Sequence, residues 1–148
     1  MIAKLKEKLL LFFLFLFFLY FVIWQHTSGF SWDFMVYVLN ARYFFSCSNY
    51  FEILRPPLPS LILGLLLPCY IFSEYLYIFL ISLLFLFTSL FFAERFDMNK
   101  LIFYTLLLTP FLIMKSFTAG TELLSLCCLL YTSDAADEGL GVDLVGCR

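Results

Sequence analysis

Charge is scarce in this chain. Only 14% of its 148 residues are Asp, Glu, Lys or Arg, against 64% hydrophobic residues and a mean hydropathy of +0.99. That balance excludes an ordinary water-soluble domain of this size. A basic patch is missing too: the formal charge is -2, and Lys4, Lys6 and Lys8 form a cluster that abuts the first apolar run. Nucleic-acid binding is excluded on that ground, and the lysines read as a topology signal. Histidine occurs once, at His26, with no second ligand beside it, so a metal site built on it is not expected. What the chain has instead is 21 Phe and long aliphatic and aromatic runs, which read as membrane-embedded helices.

The composition breaks at residue 128, where Leu/Phe runs give way to Tyr131, Thr132, Ser133, Asp134, Ala135, Ala136, Asp137 and Glu138. Residues 128–138 match, codon by codon, the translation of a transposase-type sequencing adapter, with 139–141 as an index and 142–144 as more adapter. A polar, disordered tail is the alternative that composition allows. On the adapter reading the native piece is 1–127, truncated where the helix beginning near Glu122 is abandoned after Cys127. The acidity of the chain then belongs to Asp134, Asp137, Glu138 and Asp143, and says nothing of partners. Cys47, Cys69 and Cys127 remain, at spacings that fit neither a zinc site nor a disulfide framework, and read as buried or interfacial thiols.

The expected fold is all-α: polytopic transmembrane helices with an outer loop containing interfacial helices. Run 9–24 follows the three lysines and ends in Tyr20 and Trp24, suited to a membrane–water interface. No small-residue cleavage site follows, so an uncleaved helix with a cytoplasmic N-terminus is expected, in a multi-pass protein of the cell membrane. Residues 25–57 carry Asp33, Arg42, Glu52 and Arg55 and form an outer loop, because hydrocarbon does not tolerate those charges. Within it 31–45 can form an amphipathic helix along the membrane surface. Further helices are expected at about 70–93 and 101–117, and another starts at 122.

Run 58–69 is short, proline-bounded and interrupted by Gly64 and Pro68. If it does not span, Lys4, Lys6, Lys8, Arg95 and Lys100 lie inside, with Arg42, Arg55 and Lys115 outside. If it spans, the two sides divide evenly. The positive-inside rule favours the re-entrant arrangement, which puts Asp33 and Glu122 on the same outer side.

Asp33 sits just outside the first helix among aromatic rings, where partial desolvation would suit a general base. The plainer alternative is that Ser31 or Asp33 caps the helix that follows. Tyr37 stands one turn beyond Asp33 on the same helix face. Arg42, Arg55 and Lys115 can bind phosphate oxygens or anchor lipid headgroups. Glu122, at the start of an apolar helix, is either functional or a favourable partner of the helix dipole.

The order of these features resembles the N-terminal region of GT-C superfamily glycosyltransferases, which include protein O-mannosyltransferases and the aminoarabinose transferases of lipid A. The stretches that carry the resemblance are Trp32-Asp33-Phe34-Met35-Val36-Tyr37, then Tyr50-Phe51-Glu52-Ile53-Leu54-Arg55-Pro56-Pro57-Leu58-Pro59, then Ala119-Gly120-Thr121-Glu122. Two positions depart from the pattern: Phe34 where many relatives carry Glu, and Glu122 where Asp is common. The resemblance implies transfer of a sugar from a polyprenyl-phosphate donor to a protein, lipid or glycan acceptor at the outer face. Asp33 would deprotonate the acceptor, and Arg55, with Arg42 or Lys115, would stabilise the leaving phosphate. Tyr37 would belong to the substrate side. Glu122 would orient the acceptor or help hold a divalent cation, which some relatives use and others do not.

A transporter or other non-enzymatic polytopic protein is the alternative, with Asp33 and Glu122 as structural or ion-pathway residues. Alternating access predicts internal repeats, and none is visible. A small membrane anchor would require the tail to be genuine.

Overall fold

The computed structural model describes the backbone of residues 2–29, 32–45, 49–114 and 123–132, and their side chains apart from those of 2–4, 32, 33, 69–71 and 110–114. The described residues are helical throughout their regular structure: α1 (Ile2–Ser28), α2 (Trp32–Phe44), α3 (Pro57–Leu66), a 3-10 segment (Leu67–Phe72), α4 (Ser73–Arg95) and α5 (Lys100–Met114), with α6 at Leu123–Thr132.

Two of these helices are long and apolar enough to cross a membrane: α1 over Leu5–Ser28, with mean hydropathy 2.2, and α4, with 2.4. At 1.5 Å per residue each reaches about 35 Å, enough for a hydrocarbon core of about 30 Å. Some of the hydroxyls inside the apolar helices bond to their own backbone. Ser89 donates to the Phe85 carbonyl at 2.6 Å, and Thr105 and Thr109 donate one turn back at 2.8 and 2.9 Å. This satisfies a polar group within an apolar helix.

α1 and α4 are antiparallel. The last turn of α1 meets the first turn of α4 through His26 and Glu74, and farther along the pair Phe18 packs on Phe85 at 5.7 Å. The chain from 29 to 72 therefore leaves and rejoins the helix pair at one end. A tight reversal after α4 then brings α5 back alongside, with Phe92 stacked on Phe103 at 5.3 Å and Phe85 against Tyr104 at 5.8 Å. One core runs through all six helices: Phe18 and Val22 of α1, Phe34 and Ala41 of α2, Leu63 of α3, Ile81 and Phe85 of α4, Tyr104 and Leu108 of α5, Leu123 and Cys127 of α6.

The reversal is built from its backbone. The Met98 amide donates to the Ala93 carbonyl at 2.8 Å and the Asp97 amide to Glu94 at 3.3 Å, the paired bonds of a Schellman stop. Asp97 occupies the left-handed position with φ 52°. Asn99 then opens α5, its Oδ1 accepting the amides of Leu101 and Ile102, both at 3.1 Å. Outside the turn Lys100 Nζ lies 2.6 Å from Glu94 Oε2.

Several expected boundaries move. α1 takes in the lysine-bearing segment before residue 9, because Lys and Glu are good helix formers. The stretch 58–69 becomes α3 and the 3-10 segment, and it does not carry the chain to the far end of the α1–α4 pair. α4 starts three residues after 70. The expected helix 101–117 is observed from Lys100 to Met114, and 115–117 lie outside the described residues.

Two elements take a form that the sequence did not specify. The helix starting near 122 is not limited to its first turn: within the described residues it covers Leu123–Thr132, burying Leu123, Leu124, Cys127 and Leu130 on one side. These residues recur at helical spacing, so the apolar face continues past the change in composition. Nor does α2 present a simple two-faced surface helix. Phe34, Val36, Tyr37, Val38, Asn40 and Ala41 are all buried, more than half of its circumference, and α3 is its main packing partner. Among the described side chains Met35, Arg42, Tyr43 and Phe44 stay open.

Candidate functional site

The end of the α1–α4 pair gathers polar chemistry. α1 closes with Thr27 and Ser28 donating to the Trp24 carbonyl at 3.0 and 2.7 Å, which leaves His26 on its last full turn. The imidazole is buried, and its Nε2 lies 3.0 Å from Glu74 Oε2 on the first turn of α4. Two rings enclose it edge-on, Phe34 at 4.9 Å and Tyr75 at 5.7 Å. An imidazole held on one nitrogen by a carboxylate has its ring orientation fixed.

Asp33 is the second residue of α2, adjacent in sequence to the Phe34 whose ring faces His26. Its backbone thus belongs to the turn that packs on the His26–Glu74 pair, while its side chain lies outside those described. Tyr37, expected on the substrate side, is buried instead, with 1% of its surface exposed and a place in the central core. The face of α2 that carries it is covered.

Arg42 is exposed on α2. Arg55 is tied down: its Nε stands 3.4 Å from Glu52 Oε1. Glu52 is positioned in turn by Asn40, which is 1% exposed. The Asn40 amide nitrogen donates to the Glu52 carbonyl and its Oδ1 accepts the Glu52 amide, both at 2.9 Å. Tyr50 donates to the other Glu52 carboxylate oxygen at 3.2 Å. Partial desolvation, that hydrogen bond and the carboxylate charge together raise the Tyr50 phenol above its ordinary value.

Two polar groupings result. The Asp33 turn lies with His26 and Glu74. Arg55 lies with Glu52, Tyr50 and Asn40, and Asn40 is seven positions beyond Asp33, about 10 Å along the axis of α2. Lys115 and Glu122 lie outside the described residues. Among the described residues no three His, Cys, Asp or Glu cluster to hold a metal ion.

Sequence reasoning missed the His26–Glu74 pair, since 48 residues separate its members. The signal was present in a histidine at the close of one apolar run and a carboxylate at the opening of the next. Asn40 was missed as well, because nothing local marks an asparagine as a clamp for a distant backbone. No family model, curated protein or solved structure matches the chain.

Proposed function

We propose that the chain is the N-terminal piece of a polytopic membrane glycosyltransferase that moves a sugar from a polyprenyl-phosphate donor to an acceptor at the outer face. The observation that supports this reading is the return of segment 29–72 to the end of the helix pair it left. On a two-span reading that return keeps Asp33, Arg42 and Arg55 on one side of the bilayer, as donor, acceptor and leaving phosphate require.

In this scheme the Asp33 carboxylate takes the proton of the acceptor hydroxyl as its oxygen attacks the anomeric carbon. The bond to the lipid phosphate breaks with inversion through an oxocarbenium-like transition state. Arg42, exposed on α2, meets phosphate charge directly, and Arg55 does so by exchanging its Glu52 partner for the leaving group. Glu122 and Lys115 would complete the acceptor and phosphate sides, with a divalent cation as an option at Glu122.

Two experiments test the proposal. Long-read sequencing across codons 126–138 of the source DNA should show the frame continuing from Cys127 into further apolar helices, without the 131–138 segment. On that complete gene, Asp33→Asn should lower transfer from a polyprenyl-phosphate sugar by about 100-fold or more, the scale of a lost general base. Unchanged turnover would remove Asp33 from the reaction.

A transporter reading draws on one observation, the part-buried His26–Glu74 pair, because ionisable pairs between spans often mark ion pathways. Proton flux through vesicles, abolished by Glu74→Gln while sugar transfer persists, would favour it over the transferase.

A further inference from the structure

We infer that the tip formed by residues 49–56, leading into α3, is a bilayer-contact element, a wedge whose apolar side chains sit among lipids. The inference rests on reading α1 and α4 as membrane spans and is independent of the transfer reaction.

Turns ordinarily carry Gly, Asn, Asp, Pro or Ser. Here the turn before α3 carries Ile53 and Leu54, and they are 81% and 86% exposed. They project because the residue before them is clamped: both side-chain groups of buried Asn40 are taken by the backbone of Glu52. Beside them Phe51 stacks on Tyr43 at 4.8 Å and meets Phe44 edge-on at 5.5 Å, so the aromatic base of the tip is pre-formed. Its rim carries Arg42 and Arg55.

Large aliphatic residues held out from a rigid turn are unfavourable in water, so an apolar occupant is called for. Aromatic rings and arginines around an apolar point are the composition of a membrane interface, where rings sit at headgroup level and guanidinium groups meet phosphate. The tip also belongs to a segment that begins and ends on the two apolar helices at one end of their pair. A phospholipid leaflet is therefore the occupant.

The test uses the full 148-residue chain in phosphatidylcholine vesicles, with Trp24 and Trp32 changed to Phe and a single tryptophan introduced. Leu54→Trp reports the tip, and Phe13→Trp reports the exposed flank of α1. The exposed Leu54 site tolerates the exchange without repacking, and Ile53→Trp serves as a second reporter. Brominated phosphatidylcholine should reduce Leu54→Trp fluorescence by about twofold, with little quenching by aqueous iodide, as for an apolar residue seated in the acyl boundary.

If Phe13→Trp is quenched by brominated lipid and the tip reporters are quenched by iodide instead, the tip is in water. The inference then falls while the membrane reading stands. Tip reporters shielded from both quenchers would mean a protein partner and would also overturn it. If no reporter senses brominated lipid, the membrane reading and the inference fall together.

Discussion

His26 Nε2 and Glu74 Oε2 meet at 3.0 Å across the junction of α1 and α4, where the last turn of one helix faces the first turn of the other. Phe34 and Tyr75 meet the imidazole edge-on, so the bond is partly shielded from water and links the first turn of α2 to the helix pair.

A double-mutant cycle with His26→Asn and Glu74→Gln should therefore be non-additive. The expected coupling is about 1–2 kcal/mol, the range for a hydrogen bond between partly buried groups. Thermal unfolding of the four proteins in one detergent measures it, and additive effects would show that the contact does not latch the helices.

Asn40→Ala removes two hydrogen bonds at once and leaves a part-buried carbonyl and amide of Glu52 without their partner. A loss of about 2–3 kcal/mol is expected, roughly that of two such bonds. Amide exchange should accelerate first at residues 50–55. Exchange unchanged there would mean that α3, rather than Asn40, holds the tip.

Asp97 is a non-glycine residue at φ 52° in the α4–α5 reversal, a position where glycine carries no Cβ penalty. Asp97→Gly should stabilise the hairpin by about 0.5–1 kcal/mol, and Asn99→Ala should destabilise it by about 1 kcal/mol through loss of the α5 cap. Opposite shifts in the unfolding midpoint are the expected outcome. Destabilisation by the glycine would show that the Asp97 side chain matters more than its backbone angle.

Gly64 lies under the ring of Phe45, and a Cβ there would overlap the ring edge. Gly64→Ala should push the Phe45 side chain outward and cost about 1–2 kcal/mol, as overpacking does. The added change Phe45→Ala should recover most of that loss. A double variant no better than Gly64→Ala alone would place the clash elsewhere.

Much of the helical layout is legible in the sequence. The helices around 9–24 and 70–93 announce themselves because long, strongly apolar runs, broken by a single charge at Glu74 in the second, are the pattern of helices able to cross a membrane, and the proline-bounded, short 58–69 argues against a crossing. Less legible is α2. Its length without Gly or Pro marks a helix, but its burial on more than half of its circumference depends on α3 returning against it. The candidate site is legible in part. Asp33 and Arg55 stand out by charge in an apolar chain, whereas the partners Glu74 for His26, and Asn40 and Glu52 for Arg55, belong to different elements. Tyr37, expected on the substrate side, lies in the core, a placement that depends on the elements packed over α2 and not on its own sequence neighbours.

The sequence by itself determined that this protein is helical, that two of its helices are long and apolar enough to cross a membrane, and where its charged residues gather, because hydropathy and helix length act locally along the chain. Only the tertiary structure decided which helix ends meet, which carboxylate holds His26 and which turn projects Ile53 and Leu54. Those outcomes depend on contacts between residues far apart in sequence, where side-chain shape and the pairing of buried polar groups, not local preference, choose the arrangement.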